Sequence, residues 1–488
     1  MRIVIVGAGM VGTQLAKHLI QEKHDVSIIE ANEERARHTS NRIDCLVIHD
    51  EGNSLNALEE AGIAKADALV CITDSDEVNM IICGLVASRY GRRETETGGL
   101  LKIARVRNDA YMHLSLSADK QVLGIDHFIY PNMEVARSII KAIEHGALGD
   151  IISFSGTSYE LGSIDVAGGS TFDGLVLKDY RKLVLSESLV TLVERDEELL
   201  LPSGATVLAR GDRLHILAKR DDLPGIFAFA GSTEKPIRKI GIVGGGKVGS
   251  LLTEGLLGKN ELSDAYIGGP SKKRHIAFSL LKALMPKSGR RIVLIEQDYQ
   301  LCKDLAARFS EALVLNEDIS DESFVTEEQL DDLDCLVTTT SNQELNIITA
   351  VYLKSRGIER SIAMVSSSGY AAMARQLGVD VVIPMKSVVV NSILSHLMGR
   401  GVKEVHRIGG GSIDIIEVEI AGNAPVTNMP ISQFRLSAGG LLMLVNRNGD
   451  SFIPKGDYLF RQGDRIVLIA KTGSQMEIEK YFGEKEPV

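Results

Sequence analysis

Met1-Arg-Ile-Val-Ile-Val-Gly7-Ala8-Gly9-Met10-Val11-Gly12 opens the chain and decides its fold. An apolar run that ends in GxGxxG and continues into Thr13-Gln-Leu-Ala-Lys-His-Leu-Ile is a strand, a tight turn and the start of a helix. That layout puts a helix N-terminus and free backbone N–H groups where a pyrophosphate can sit. A second strand, Asp25-Val-Ser-Ile-Ile-Glu30, closes on an acid eighteen positions after Gly12. This is near the ~20-residue spacing of the carboxylate that takes a ribose diol. A carboxylate there repels a 2′-phosphate, which favours NAD or an adenine nucleotide over NADP. Apolar runs then recur at 45–49, 68–72, 101–106 and 126–130, with helical stretches between them, and a further helix follows Pro131. Strand alternating with helix predicts a doubly wound parallel sheet. Its ligand end lies beyond the carboxyl ends of the strands. There the sequence places the glycine turn, Glu30, Asp50, Thr73, Asp74 and Arg105.

The opening stretch returns as Lys239-Ile-Gly-Ile-Val-Gly244-Gly-Gly246-Lys247-Val248-Gly249. Glu296 answers Glu30, Asp318 is matched to Asp50, and Thr340 through Asn346 answers Thr73 through Asn79. After residue 146 the rhythm changes to period two with Gly and Pro turns, and Arg210-Gly-Asp212-Arg213 comes back as Gln462-Gly-Asp464-Arg465. The chain is thus a tandem duplication of a two-part unit. The expected fold is α/β, with two Rossmann-like parallel-sheet domains, each followed by a small β-rich (α+β) module. The boundaries read as 1–146 and 147–231 for the first unit, 237–398 and 399–488 for the second. Between turn and acid the second half is longer by 29 residues, an insertion at about 258–290 that carries Lys272-Lys-Arg274, Lys287, Arg290 and Arg291. It reads as a solvated excursion, with a docking element for an acidic surface as the alternative.

Composition narrows the function. Over 488 residues the net charge is −11, which argues against a nucleic-acid binder. Trp is absent and aromatics make up 5%, so the core must be Ile, Val, Leu and Ala. Five cysteines show no CxxC and no metal spacing, as suits buried thiols in a reducing compartment. No apolar run approaches the ~20 residues that span a bilayer, and no signal peptide precedes the first strand. A cytoplasmic protein is expected, whose membrane role would go through a partner.

Dehydrogenases share this turn but also need a proton relay and a substrate pocket. No histidine–acid pair, Ser-x-x-x-Lys or electropositive cysteine stands out, and modules of about 80 residues suit sensing or dimerisation. The combination of Val-Gly-Ala-Gly-Met-Val-Gly12, Asp67-Ala-Leu-Val-Cys-Ile-Thr-Asp74-Ser-Asp76-Glu-Val-Asn79 and Ile103-Ala-Arg105-Val-Arg107 resembles the potassium-uptake regulators of the Trk system. These carry tandem RCK (KTN) domains, each followed by a TrkA-C domain, and the resemblance covers the whole chain. It implies a non-enzymatic cytoplasmic subunit that forms a homo-oligomer, a tetramer with a ring of eight RCK units. The ring docks on the cytoplasmic face of an integral-membrane potassium transporter and gates it in response to a nucleotide. NAD(H) is the first choice of nucleotide and ATP or ADP the second. Carried onto this sequence, the phosphate cradles are Gly7 to Gly12 and Gly244 to Gly249, and the ribose acids are Glu30 and Glu296. Asp50, Thr73 and Asp74 would line the adenosine side, and Arg105 would reach the phosphates.

The halves differ. Ile362-Ala-Met364-Val puts Met364 where Arg105 stands, and Ser341 and Gln343 replace Asp74 and Asp76. Losing a guanidinium removes a bidentate phosphate contact, for which Lys247 in the second turn offers only a point charge. The first site is therefore expected to be the tighter. The competing readings are an NAD-dependent oxidoreductase and the gating ring of another ion channel or transporter.

Overall fold

A computed structural model of the chain describes residues 1–90, 99–111, 122–144, 151–154, 157–196, 198–231, 237–258, 290–319, 328, 330–397, 402–408, 412–437 and 439–483. The bulk of the 258–290 insertion, residues 259–289, lies outside them. Strands β1 (Arg2–Val6), β2 (Asp25–Glu30), β3 (Leu46–His49), β4 (Ala68–Cys71), β5 (Leu101–Arg105) and β6 (His127–Ile129) form one sheet in the order β3-β2-β1-β4-β5-β6. Every pair in it is parallel. Ile3, Val4, Ile5, Leu69 and Val70 are all buried, because helices cover both faces of the sheet. The order reverses between β1 and β4, and the glycine turn leaves β1 at that switch point.

The second half builds the same sheet from β12 (Lys239–Val243), β13 (Arg291–Glu296), β14 (Leu313–Asn316), β15 (Cys335–Thr338), β16 (Arg360–Val365) and β17 (Val381–Pro384), in the order β14-β13-β12-β15-β16-β17. The register repeats too. Val6 pairs with Cys71 as Val243 pairs with Thr338, and Cys71 pairs with Ala104 as Thr338 pairs with Ala363.

A five-stranded antiparallel sheet follows each parallel one. The first has β7 (Ile151–Ser153), β8 (Tyr159–Asp165), β9 (Ser188–Arg195), β10 (Glu198–Leu200) and β11 (Arg213–Lys219), in the order β10-β9-β11-β8-β7. The second has β18 (Val402–Ile408), β19 (Ile413–Glu419), β20 (Gly440–Arg447), β21 (Asp450–Phe452) and β22 (Arg465–Lys471), and read from β21 it has the same order. The repeated Gly-Asp-Arg turns have a physical reason. Asp212 and Asp464, each 1% exposed, accept two bonds from Arg195 and from Arg447 respectively, at 2.6 and 2.7 Å. The backbone N–H of Ala209 or Arg461 adds a third bond at 2.8 Å and fixes the turn into the last long strand.

The halves are locked by exchanged helices. The Pro131–Glu144 helix leaves the first sheet and packs Val135, Ile139 and Ile143 against Val248, Leu252 and Leu256 of the second half. The Met385–Leu397 helix leaves the second sheet and packs Val389, Val390, Ile393 and Leu394 against Leu15 and Leu19 of the first. The two helices also touch each other. Gly255 allows a close approach, since a Cβ there would lie 2.4 Å from Ile140 Cδ1. Among the described residues no helix is long and apolar enough to cross a membrane.

Ile393 is fully buried at this exchange. Ile393→Ala should cost about 2–5 kcal/mol in denaturant unfolding of the full chain. Burial raises the Asp464 pKa, but Arg447, Tyr458 and the Arg461 N–H outweigh it and hold the carboxylate below its usual range. Its contribution is therefore present above pH ~4 and fades as pH falls through the lower folded value. Asp464→Ala should destabilise the chain by about 3 kcal/mol at neutral pH and flatten that acid dependence, both readable from urea unfolding at several pH values.

Candidate nucleotide-binding clefts

The first turn is built for close backbone approach. Gly7 sits at φ +109°, and a Cβ on Gly12 would lie 2.0 Å from the Gly7 carbonyl oxygen. The second turn repeats this, with Gly244 at φ +100° and a Gly249 Cβ 1.9 Å from the Gly244 oxygen. Gly9 and Gly246 cap their helices in extended geometry, and a Cβ on either would meet nothing within 4 Å. These two glycines leave the front of the turn bare. Met10 and Lys247 occupy the next position and are exposed, whereas Ala8 and Val248 are buried and Val11 packs against the first core.

Glu30 closes β2 against this turn. Its Oε2 accepts a bond from the Ala8 N–H at 2.6 Å, and its Oε1 accepts one from the Asn32 N–H at 2.9 Å. Glu296 does the same with the N–H groups of Gly245, at 2.8 Å, and Asp298, at 3.0 Å. A carboxylate has about four lone-pair sites, so each acid keeps acceptor capacity for a ribose diol. Asp50 follows β3, and its Oδ1 accepts from the Glu51 N–H at 2.7 Å. Here the register corrects the sequence correspondence. Glu30 pairs with His49 and Glu296 with Asn316, so Glu317, not Asp318, stands in the place of Asp50. Asp318 falls one position further along, because strand pairing counts from the β-ladder and not from the match of one acid to another.

Thr73 and Thr340 lie two residues beyond β4 and β15 in one arrangement. Asn79 accepts from the Thr73 N–H at 2.8 Å and donates to the Thr73 and Arg105 carbonyls, tying the ends of β4 and β5 together. Asn346 does this for Thr340 and Met364. Asp76 accepts from the Arg107 and Asn108 N–H groups, as Gln343 accepts from the Ser366 N–H. These polar pins lay in the quoted motif, but the sequence did not reveal that they were structural.

The mouth of the first cleft is charged. Arg105, with a 12% exposed side chain, donates to the Thr73 carbonyl at 2.7 Å and meets Asp74 Oδ1 at 3.2 Å. Burial, and then the charge of Arg107, lower its pKa, and Asp74 opposes both. Arg35 was not foreseen. It lies 3.2 Å from Glu30 and 3.7 Å from Asp74. Its only sequence signal was a base in the first turn of the helix that follows the ribose acid. Lys247 also departs from expectation, because its Nζ reaches across the halves and donates to the Arg107 carbonyl at 2.9 Å. The second cleft has Leu301, Ser341, Met364 and Ser366 where the first has Arg35, Asp74, Arg105 and Arg107.

Two parallel sheets, each with a bare glycine turn stapled to a strand-end acid and each followed by an antiparallel module, define a tandem protein of the Rossmann-like fold class. The TrkA-N domain family matches residues 3–131 and 275–384, and the TrkA-C domain family matches residues 415–483. The second TrkA-N match begins beyond the second glycine turn, although β12 and its helix occupy the places of β1 and its helix. A Trk system potassium uptake protein TrkA homologue of Methanosarcina mazei is 28% identical over 487 residues, covering 99% of this chain and 100% of the relative. The Trk system potassium uptake protein TrkA of Halomonas elongata is 25% identical, and that of Haemophilus influenzae 26%; each comparison covers 99% of this chain and 98% of the relative. Among solved structures, the GsuK channel superposes with TM-score 0.53 at 17% identity, over 98% of this chain and 78% of that one. The GsuK RCK domain gives 0.53 at 16%, over 99% and 94%. This structural likeness is one of fold. The chain belongs to the TrkA family of Trk potassium-uptake proteins.

Gly12→Ala should lower the melting temperature, since the turn's own carbonyl blocks the new methyl. Gly9→Ala should leave it unchanged yet weaken dinucleotide binding by covering the front of the turn. Thermal unfolding and calorimetry on the two variants separate these outcomes.

Proposed function

We propose that the chain is a cytoplasmic, non-enzymatic regulatory subunit that binds a nucleotide and through it gates an integral-membrane potassium uptake transporter. The observation that carries this reading is the duplicated staple, Glu30 on Ala8 and Glu296 on Gly245, inside a chain whose halves are locked by exchanged helices. Two cradles on one rigid frame suit sensing. Full-length similarity to Trk potassium uptake proteins supports a membrane transporter as the partner. The proposed chain is peripheral on the cytoplasmic face and forms a homo-oligomer, a tetramer.

NAD(H) is the proposed ligand, and ATP or ADP are the alternatives. Glu30 would hold the ribose diol, Gly7, Gly9 and Gly12 the pyrophosphate, and Asp50, Thr73 and Asp74 the adenosine side, with Arg105 beside the phosphates. Glu296, Gly244, Gly246, Val248 and Gly249 would form a weaker second site, with Glu317 in the place of Asp50. The nucleotide acts only through its differential affinity for two arrangements of the assembly, and a coupling of about 1–3 kcal/mol is enough to bias a gate. The Pro131–Glu144 helix would carry the change, since it joins the first cleft's sheet to the second half.

Calorimetry with NAD, NADH, ATP and ADP on the full chain, on Glu30→Ala and on Glu296→Ala tests the assignment. Binding should fall at least tenfold in Glu30→Ala and much less in Glu296→Ala, since two charge-assisted bonds are worth about 1.5–3 kcal/mol each. Equal losses would refute the asymmetry. Potassium uptake by a reconstituted complex should respond to the nucleotide that binds; indifference would refute the gating role.

A further inference from the structure

Three arginines and a lysine converge on the mouth of the first cleft, and an exposed carboxylate sits among them. Asp74 is 77% exposed, yet its Oδ1 meets Arg105 at 3.2 Å and its Oδ2 meets Arg35 at 3.7 Å. Arg107 holds the Asp74 backbone carbonyl and lies 3.8 Å from Asp76. Lys247 holds the Arg107 carbonyl from the other half. The four cations come from three places: the helix after β2, the exit of β5 and the second glycine turn. Such a gathering is a locus for a phosphate group, and Asp74 fills it as a phosphate would.

We propose that Asp74 is a tethered competitor, an anion built into the loop after β4 that occupies Arg35 and Arg105 in the ligand-free chain and must be displaced by nucleotide phosphate. The inference rests on the reading of the first cleft as a nucleotide site. It adds a device that ranks ligands by the charge on their phosphate chain. A nucleoside gains nothing by expelling Asp74. A di- or triphosphate replaces one carboxylate with several oxygens able to bridge both guanidiniums. The ion pairs form a strap from Glu30, through Arg35, to Asp74. The second half lacks the strap entirely, with Leu301, Ser341 and Met364 at its three positions, so selection by charge belongs to the first cleft.

The test is calorimetry of the full chain and of Asp74→Asn, Arg35→Leu and the double variant with adenosine, ADP and ATP. Exposed ion pairs are worth up to about 1 kcal/mol, so removing the two contacts should tighten ADP and ATP by about three- to tenfold relative to adenosine. In the Arg35→Leu background the gain from Asp74→Asn should shrink, because one of the cations it uncovers is gone. ADP binding that is unchanged or weakened in Asp74→Asn overturns the proposal, as does a gain shared equally by adenosine. If none of the three ligands binds the unmodified chain, the nucleotide reading of the cleft fails instead. Asp74 points into solvent, so the variants should melt with the unmodified chain, and a shared drop in melting temperature would also count against a purely competitive role.

Discussion

The exchange of the Pro131–Glu144 and Met385–Leu397 helices is the constraint on which the rest depends. Each parallel sheet loses the helix that should cover one of its faces and receives the other half's helix there. Neither half can bury its core alone, since Leu15 and Leu19 of the first are covered by Val390 and Ile393 of the second. Leu252 and Leu256 of the second are covered in turn by Ile139 and Ile143 of the first. The halves are thus fixed relative to each other by apolar packing, and Lys247 is held where it can reach Arg107. The last antiparallel module joins the same core through Ile416, Val418, Phe460 and Phe482, so it is coupled to the first sheet as well.

Within this near-symmetric frame the two clefts diverge only at their mouths. The strand-end acids, the glycine turns and the asparagine pins are duplicated to within a few tenths of an ångström. These groups shape the backbone, and replacing an acid or an asparagine would leave a backbone N–H or carbonyl without a partner. At the mouth the second half has the uncharged Leu301, Ser341, Met364 and Ser366 where the first carries Arg35, Asp74, Arg105 and Arg107. Duplication preserved what folding requires and left ligand chemistry free to differ.

The two sheets were legible in the sequence because each strand was an apolar run bounded by turn residues, and a right-handed parallel alternation leaves few topologies. Glu30 was legible because its spacing from the glycine turn is fixed by one helix and one strand, and Glu296 because Ile295-Glu296 repeats Ile29-Glu30. What the helices after Pro131 and Pro384 would pack against was not legible. An apolar face states that it will be buried but not by which neighbour. The Asp50 counterpart was misplaced by one residue because two acids, Glu317 and Asp318, stand side by side, and only the ladder counts positions. Arg35 escaped notice because a base in an exposed first helical turn looks like an ordinary solvated charge until the fold brings Asp74 to it. Lys247 was read within its own turn, since nothing local reveals that the other half lies within reach.

These placements bear on how binding in one cleft can matter elsewhere. A ligand that met only residues of one rigid sheet would bind any arrangement of the halves equally and shift none of them. The first cleft is not of that kind. One of its rim groups, Lys247, belongs to the second half, and the strand that ends at Arg105 lies next to β6, whose chain runs directly into the exchanged helix. Phosphate drawn to Arg105 therefore acts on groups whose positions depend on how the halves sit. The apolar exchange is far too strong for one nucleotide to undo, at about 2–5 kcal/mol for a single buried isoleucine. The exposed ion pairs at the cleft mouth, at about 0–1 kcal/mol each, are weak enough to be rearranged. A ligand in the proposed first site would therefore act on the polar contacts that sit on the helix exchange and leave the exchange itself closed.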